Sequence, residues 1–322
     1  MAAISSPWPG RLAFAVAGIA FAMIVAGAFV TTLEAGDSVP DWPLAYGKII
    51  PRDELSGGVV YEWGHRAVGA VLGLAALVAA VLVWRSRASR GVKVLAAAAL
   101  AALVCQGLVG GLRVRFVSSP EVRSTFSSPF GGEANASAVL LGVTMVHAAL
   151  GQTVLALFVA LALVSSLRWN AGGSAVPAAG SRKLRRLAVL TTAFVFVQLV
   201  LGSYVRHTGE WVLVHLAWAF VVAAVAMLLS SRSLEDEGTP PAVRRPAAAL
   251  GVAVVLQVLL GLAAWMVSPA NLESGAPPPA WSAIVRSAHV ALGAAILAIT
   301  VALTLAIFGK VAPEGPLEAA GP

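Results

Sequence analysis

Charge is what this sequence has least of. Asp, Glu, Lys and Arg together make up 11% of its 322 residues, less than half the roughly 25% of a soluble globular domain. With 59% hydrophobic residues and a mean hydropathy of +0.86, that scarcity excludes a soluble fold. Cysteine is nearly absent as well. Cys105 is the single one, so no intrachain disulfide exists, and its place within a long apolar run reads as a small buried side chain. Also missing is the ten-residue alternation of apolar and polar positions that marks a transmembrane barrel strand. The net charge of +7 sits mostly between the apolar runs, which suits anionic lipid headgroups and argues against nucleic acid as a partner.

What is there is a series of apolar runs near 12–31, 62–84, 94–112, 138–166, 187–205, 211–230, 247–267 and 284–308, each of about the 20 residues that cross a bilayer. Backbone groups in lipid must be satisfied within the segment, so each run is predicted to be a helix. The expected fold is an all-α polytopic membrane protein of eight transmembrane helices. Most of the 22 Lys and Arg lie at Arg85 to Lys93, Arg168 to Arg186 and Arg232 to Arg245, with Arg11 and Lys310 nearer the termini. Basic loops stay on the cytoplasmic side, so both termini are expected inside a bacterial inner membrane and segments 32–61, 113–137, 206–210 and 268–283 outside. Ala26, Gly27 and Ala28 imitate a signal-peptidase site, but the run before them is long for a signal peptide and has a counterpart later in the chain, so it is expected to be retained.

The runs repeat. His65, His147, His215 and His289 each open a His-x-Ala-x-Gly/Ala pattern on an even-numbered helix. Gln106 with Gly110, Gln198 with Gly202 and Gln257 with Gly261 share a Gln-x-x-x-Gly pattern on odd-numbered helices, and Met23 with Gly27 stands in that place on the first. Small residues four apart allow close helix approach, and a glutamine can hydrogen-bond across helices. His65 and His215 are 150 residues apart, Gly110 and Gly261 are 151, and His147 and His289 are 142. Two parallel-repeat four-helix bundles are therefore expected: 1–169, a linker at 170–186, and 187–322. The first helix breaks the offset, with Gly27 and Gly202 175 residues apart. An extra outer loop at 33–61, containing Asp41, Trp42 and Pro43, accounts for the difference and belongs to the first half alone.

Histidines inside a membrane span are costly and point to function. Only His207 of the five falls outside the repeated pattern. Facing helices of a bundle build cofactor sites from inward side chains, and the natural pairs are His65 with His147 and His215 with His289. Two histidines on two helices suit axial ligation of a haem iron, and the small residues after each leave room for a flat macrocycle. Zinc or copper fits less well, since no cysteine, carboxylate or third histidine completes a shell. Arg66, Arg113, Arg206 and Arg286, at outer helix ends, are candidate partners for haem propionates, or simply interfacial arginines that snorkel to the headgroups. Three residues before the four histidines stand Glu62, Thr144, Val212 and Arg286. Only Glu62 is an acid, so chemistry is expected in the first half and an electron-handling haem in the second. The competing reading of Glu62 is a charge favoured at a helix N-terminus.

With Glu62 and His65, the other three histidines, Asp41-Trp42-Pro43 and the Gln-x-x-x-Gly helices, the chain resembles the haem A synthase family over about residues 12–308. The resemblance implies oxidation of the C8 methyl of haem O to a formyl group, giving haem A for terminal oxidases. It implies His65 and His147 as ligands of the substrate haem, His215 and His289 as ligands of a haem b cofactor, and Glu62 as the catalytic acid. A haem O synthase and cytochrome oxidase assembly are the implied partners, with membrane lipid around the chain and a homo-oligomer as a further candidate. Some bacterial members carry a cysteine pair in the first outer loop; this chain has none there, which excludes a thiol-disulfide role. The alternatives are a non-catalytic di-haem electron carrier of the quinol-oxidising type, and a transporter built from repeats.

Overall fold

A computed structural model describes residues 7–166, 169, 176–177, 180–235, 238–268 and 280–312. Eight of its helices are long and apolar enough to cross a membrane: α1 (Trp8–Thr32), α2 (Gly58–Arg85), α3 (Arg90–Ser118), α4 (Ala136–Val164), α5 (Ser181–Thr208), α6 (Val212–Leu234), α7 (Pro241–Met266) and α8 (Ala280–Lys310). The expectation of an all-α, multi-pass membrane protein is met.

Most helices outrun the apolar stretches that announced them. Arg90 to Lys93 and Ser181 to Arg186 lie inside α3 and α5, because polar flanks add backbone hydrogen bonds at the membrane surface without entering the hydrocarbon. Residues 181–186 of the expected linker are thus helical, and its residues 170–175 and 178–179 lie outside the described ones. The first outer loop shortens to 33–57, since α2 starts at Gly58. Local stops are chemically plain: Pro241 takes the first position of α7, where a missing N–H does no harm, and Gly209 ends α5 in a left-handed conformation at φ 74°. Part of the expected loop at 113–137 is a short helix, Pro120–Ser127.

Packing closes one bundle per half. α1 touches α2 and α4, and α3 touches the same two; α5 touches α6 and α8, and α7 touches the same two. The halves meet along α1–α8, α4–α8 and α4–α5, a set that maps onto itself when α1 is exchanged for α5 and α4 for α8. Each half has its own core. Val16, Leu72, Leu155, Phe158 and Leu161 centre the first, and Leu229, Leu250, Leu297, Leu303 and Ile307 the second. Cys105 is exposed on α3, not buried as its apolar neighbours suggested.

Across the junction of the halves, Arg206 of α5 donates through Nη2 to the carbonyl of Ala28 and the hydroxyl of Thr32, both on α1. The Thr32 hydroxyl also pairs with Ser287 of α8 at 3.2 Å. Hydrogen bonds from a charged donor contribute about 1.5–3 kcal/mol each. Arg206→Ala is accordingly expected to lower stability by roughly the worth of one to two such bonds, read as an earlier thermal transition of the detergent-solubilised protein. Arg206→Lys, which keeps a cation but loses the forked geometry, is expected to recover part of it.

Candidate functional site

The four histidines stand at one end of the bundle, hereafter the upper end, each held against a glycine on the preceding odd-numbered helix. A Cβ placed on Gly27 would stand 3.0 Å from Cε1 of His65; on Gly110, 2.8 Å from His147; on Gly202, 2.9 Å from His215; and on Gly261, 2.9 Å from His289. Any larger residue would push the ring from its seat. This is the physical content of the glycine in Gln-x-x-x-Gly, which the sequence alone suggested only as a means of close helix approach.

The glutamines of that pattern are bound to the same rings. Gln198 Nε2 donates to the His215 ring at 3.1 Å and to its carbonyl at 3.1 Å. Gln257 Nε2 donates to the His289 carbonyl at 3.1 Å and lies 3.5 Å from its ring, and Gln106 Nε2 lies 3.4 Å from the His147 ring. His65 is the exception. Met23 occupies the equivalent place, its methyl packed on Gly69, so this ring has no amide beside it.

His215 and His289 face one another with ring centroids 6.4 Å apart and planes at 78°. Two metal–nitrogen bonds of about 2.0–2.1 Å placed back to back put the centroids of two imidazoles roughly 6.3 Å apart. The centroid spacing matches that of two imidazoles on either side of one metal ion. His65 and His147 are near enough to interact electrostatically. Nδ1 of His65, His147 and His289 is buried without a hydrogen-bond partner, and a buried polar atom left so costs about 1–3 kcal/mol. Such rings are arranged for something other than packing. Among the described residues no group of three or more His, Cys, Asp or Glu side chains converges, so each half offers an imidazole pair as its donor set.

Above the first pair lies the loop 33–57, and α2 holds it down. Glu62 is 4% exposed, with Oε1 accepting from Arg66 Nη2 at 2.6 Å and Oε2 from the backbone N–H of Val39 at 2.9 Å. Arg66 then donates through Nη1 to the carbonyls of Asp41 at 2.6 Å and Leu44 at 3.0 Å. Because α2 begins one turn earlier than the apolar run, Glu62 lies beyond its first turn. The helix-terminus explanation of this acid therefore does not hold. Arg113 of α3 adds a second tether, donating to the Gly36 carbonyl at 2.8 Å and to Asp37 at 3.0 Å.

Inside the loop, Ala45 and Lys48 exchange backbone hydrogen bonds at 2.9 Å across Tyr46 and Gly47, both at positive φ. This is the arrangement of a tight hairpin turn. The Asp41 carboxylate accepts from the N–H groups of Tyr46 at 2.6 Å and Gly47 at 2.8 Å. Partial burial works against its charge, yet these backbone donors prevail and hold its carboxyl below the ordinary carboxylate value. Val39, Ala45 and Val59 form a small core beneath, with Leu55 and Trp63 against it.

Of the four arginines read as propionate partners, Arg66 and Arg113 are therefore engaged by the loop. Arg206 and Arg286 interact electrostatically with each other at the junction of the halves, and Arg286 also with Glu34. His207, outside the repeat, is placed near Arg206, Arg113 and His147. The contacts of Asp41, the four seat glycines and the glutamine amides were not foreseen as parts of the site.

Comparison with known proteins bears on this geometry. The chain is similar to a Heme A synthase of Halalkalibacterium halodurans, 27% identical over 189 residues that cover 58% of this chain and 55% of that protein. A Heme A synthase of Symbiobacterium thermophilum is 29% identical over 272 residues, 83% of this chain and 78% of the relative. A Protoheme IX farnesyltransferase of Halobacterium salinarum is 36% identical over 99 residues, 31% of this chain and 21% of that protein. The chain thus spans about half the length, or less, of some of the curated relatives it matches. Residues 10–214 match the model of a family described as cytochrome oxidase assembly protein, COX15-CtaA, a stretch that contains Glu62, His65 and His147 and stops one residue before His215. With more than half of its length matched in this way, the chain belongs to the COX15-CtaA cytochrome oxidase assembly protein family.

Proposed function

We propose that the protein is a haem A synthase, an oxidoreductase that converts the C8 methyl group of haem O to the formyl group of haem A for terminal oxidases. The observation that carries this reading is the asymmetry between two otherwise matching histidine pairs. Among the described residues, only the pair His65 and His147 lies beside a buried acid and under a tethered loop. In this reading His65 and His147 hold the substrate haem O, while His215 and His289 hold a haem b whose iron supplies the electron-transfer chemistry. The ring spacing of 6.4 Å and the unpartnered Nδ1 atoms support such ligation. Glu62 holds or moves a proton beside the substrate, in a site from which the loop excludes water. With Arg66 and Arg113 engaged by the loop and Arg206 by α1, the propionate role falls to Arg286.

The similarity to a protein named Protoheme IX farnesyltransferase and the assembly-protein family support a haem O synthase as supplier and a cytochrome oxidase as recipient. Location follows the basic residues: a bacterial cytoplasmic membrane, both termini inside, and the histidines toward the outer leaflet. Co-expression with a haem O synthase is expected to yield haem A on extraction and mass analysis. A protein that binds both haems and makes none would instead be a di-haem electron carrier.

A further inference from the structure

Trp42 is half-buried, and its indole rests on α3 at Gly111, where a Cβ would stand 2.5 Å from Cδ2 and Cε2 and 2.7 Å from Cε3. The residue before, Gly110, gives the same close approach to His147. Adjacent glycines on one helix thus admit two rings, one from the loop and one from the histidine pair. The loop side is fixed just as near the other histidine. Arg66, the neighbour of His65, binds the carbonyls of Asp41 and Leu44 that bracket Trp42 and Pro43. Trp42 therefore spans from the residue beside His65 to the residue beside the seat of His147.

Among the described residues no other histidine seat has a loop ring beside it. Gly27, Gly202 and Gly261 are followed by Ala28, Ser203 and Leu262, and the indole that the turn between α5 and α6 carries, Trp211, packs on Tyr204 with ring centroids 4.7 Å apart. We propose that Trp42 is a positioning residue of the first-half site: seated on Gly111, its indole sets the separation of α2 and α3 at the level of His65 and His147 and closes that end over the bound tetrapyrrole. The proposal rests on reading this pair as a haem site. It goes beyond that reading by naming what makes the two sites unequal in access.

The test is a titration of the full-length, detergent-solubilised protein with ferric protohaem, reading the Soret band and the haem bound per chain. Trp42→Ala and Gly111→Val are each expected to weaken one of two sites by about tenfold or more and leave the other unchanged. The double variant should be no weaker than either single one, because both remove the same contact, and Trp42→Phe should recover most of the affinity. In a His147→Ala background, Trp42→Ala should change nothing further. Affinities within about twofold of wild type, equal weakening of both sites, or additive effects in the double variant would overturn the proposal. Titration needs no turnover, so the haem A product assay tests the functional reading separately.

Discussion

Glu62→Gln is expected to lower haem A formation by about 10²- to 10⁴-fold, the usual contribution of a positioned acid or base, while haem at His215 and His289 stays at its wild-type level. The substitution isolates the proton. Glutamine has the same shape, and its amide oxygen still accepts the Val39 N–H that now reaches Oε2 at 2.9 Å. What it loses is the charge facing Arg66 Nη2 at 2.6 Å. Arg66→Gln is the informative companion, since it removes the loop tethers to Asp41 and Leu44 and leaves the carboxyl in place. If Glu62 acts only as a latch for the loop, the two variants lose activity alike and the loss in Glu62→Gln is small. If it handles a proton, Glu62→Gln is much the more damaging and Arg66→Gln acts chiefly on substrate affinity.

His289→Ala is expected to remove one of two bound haems and to abolish product formation, with the haem-to-protein ratio and the extracted haem A as the two readouts. The structure offers a second route to the same end without touching a ligand. A side chain at Gly261 meets His289 at 2.9 Å from its Cβ, closer than real Cβ contacts run, so Gly261→Val is expected to tip the ring out of line and reproduce most of the His289→Ala loss. Retention of both haems in both variants would remove the second-half site from the account. Gly18→Val serves as the control, since nothing lies within 4 Å of a Cβ there.

The parts of this site that were legible in the sequence are those that repeat. Four histidines and three glutamines recur in fixed phase, and a fixed phase on helices of known handedness means a shared level in the membrane. The eight spans were legible for a similar reason, although hydropathy locates the apolar stretch of a helix and not its hydrogen-bonded ends; that gap moved the start of α2 to Gly58 and Glu62 out of the first turn. Cys105 shows another limit, because lipid and protein interior ask for the same side chains. Contacts that depend on the path of a loop left no periodic trace. Arg66 looked like a free cation at a helix end, yet its partners are carbonyls 22 and 25 residues earlier. Trp42 meets Gly111 through a fold that no spacing records.

The arginine that passes from α5 into α1 sets an order of biogenesis. A guanidinium in a segment leaving the translocon is costly to insert, by about 2.5–3.5 kcal/mol at mid-bilayer and less toward the surface. α1 is synthesised long before, so the Ala28 carbonyl and the Thr32 hydroxyl are already in the bilayer when α5 arrives. A chain divided at the linker would leave its second fragment with a cation whose acceptors reside in the first.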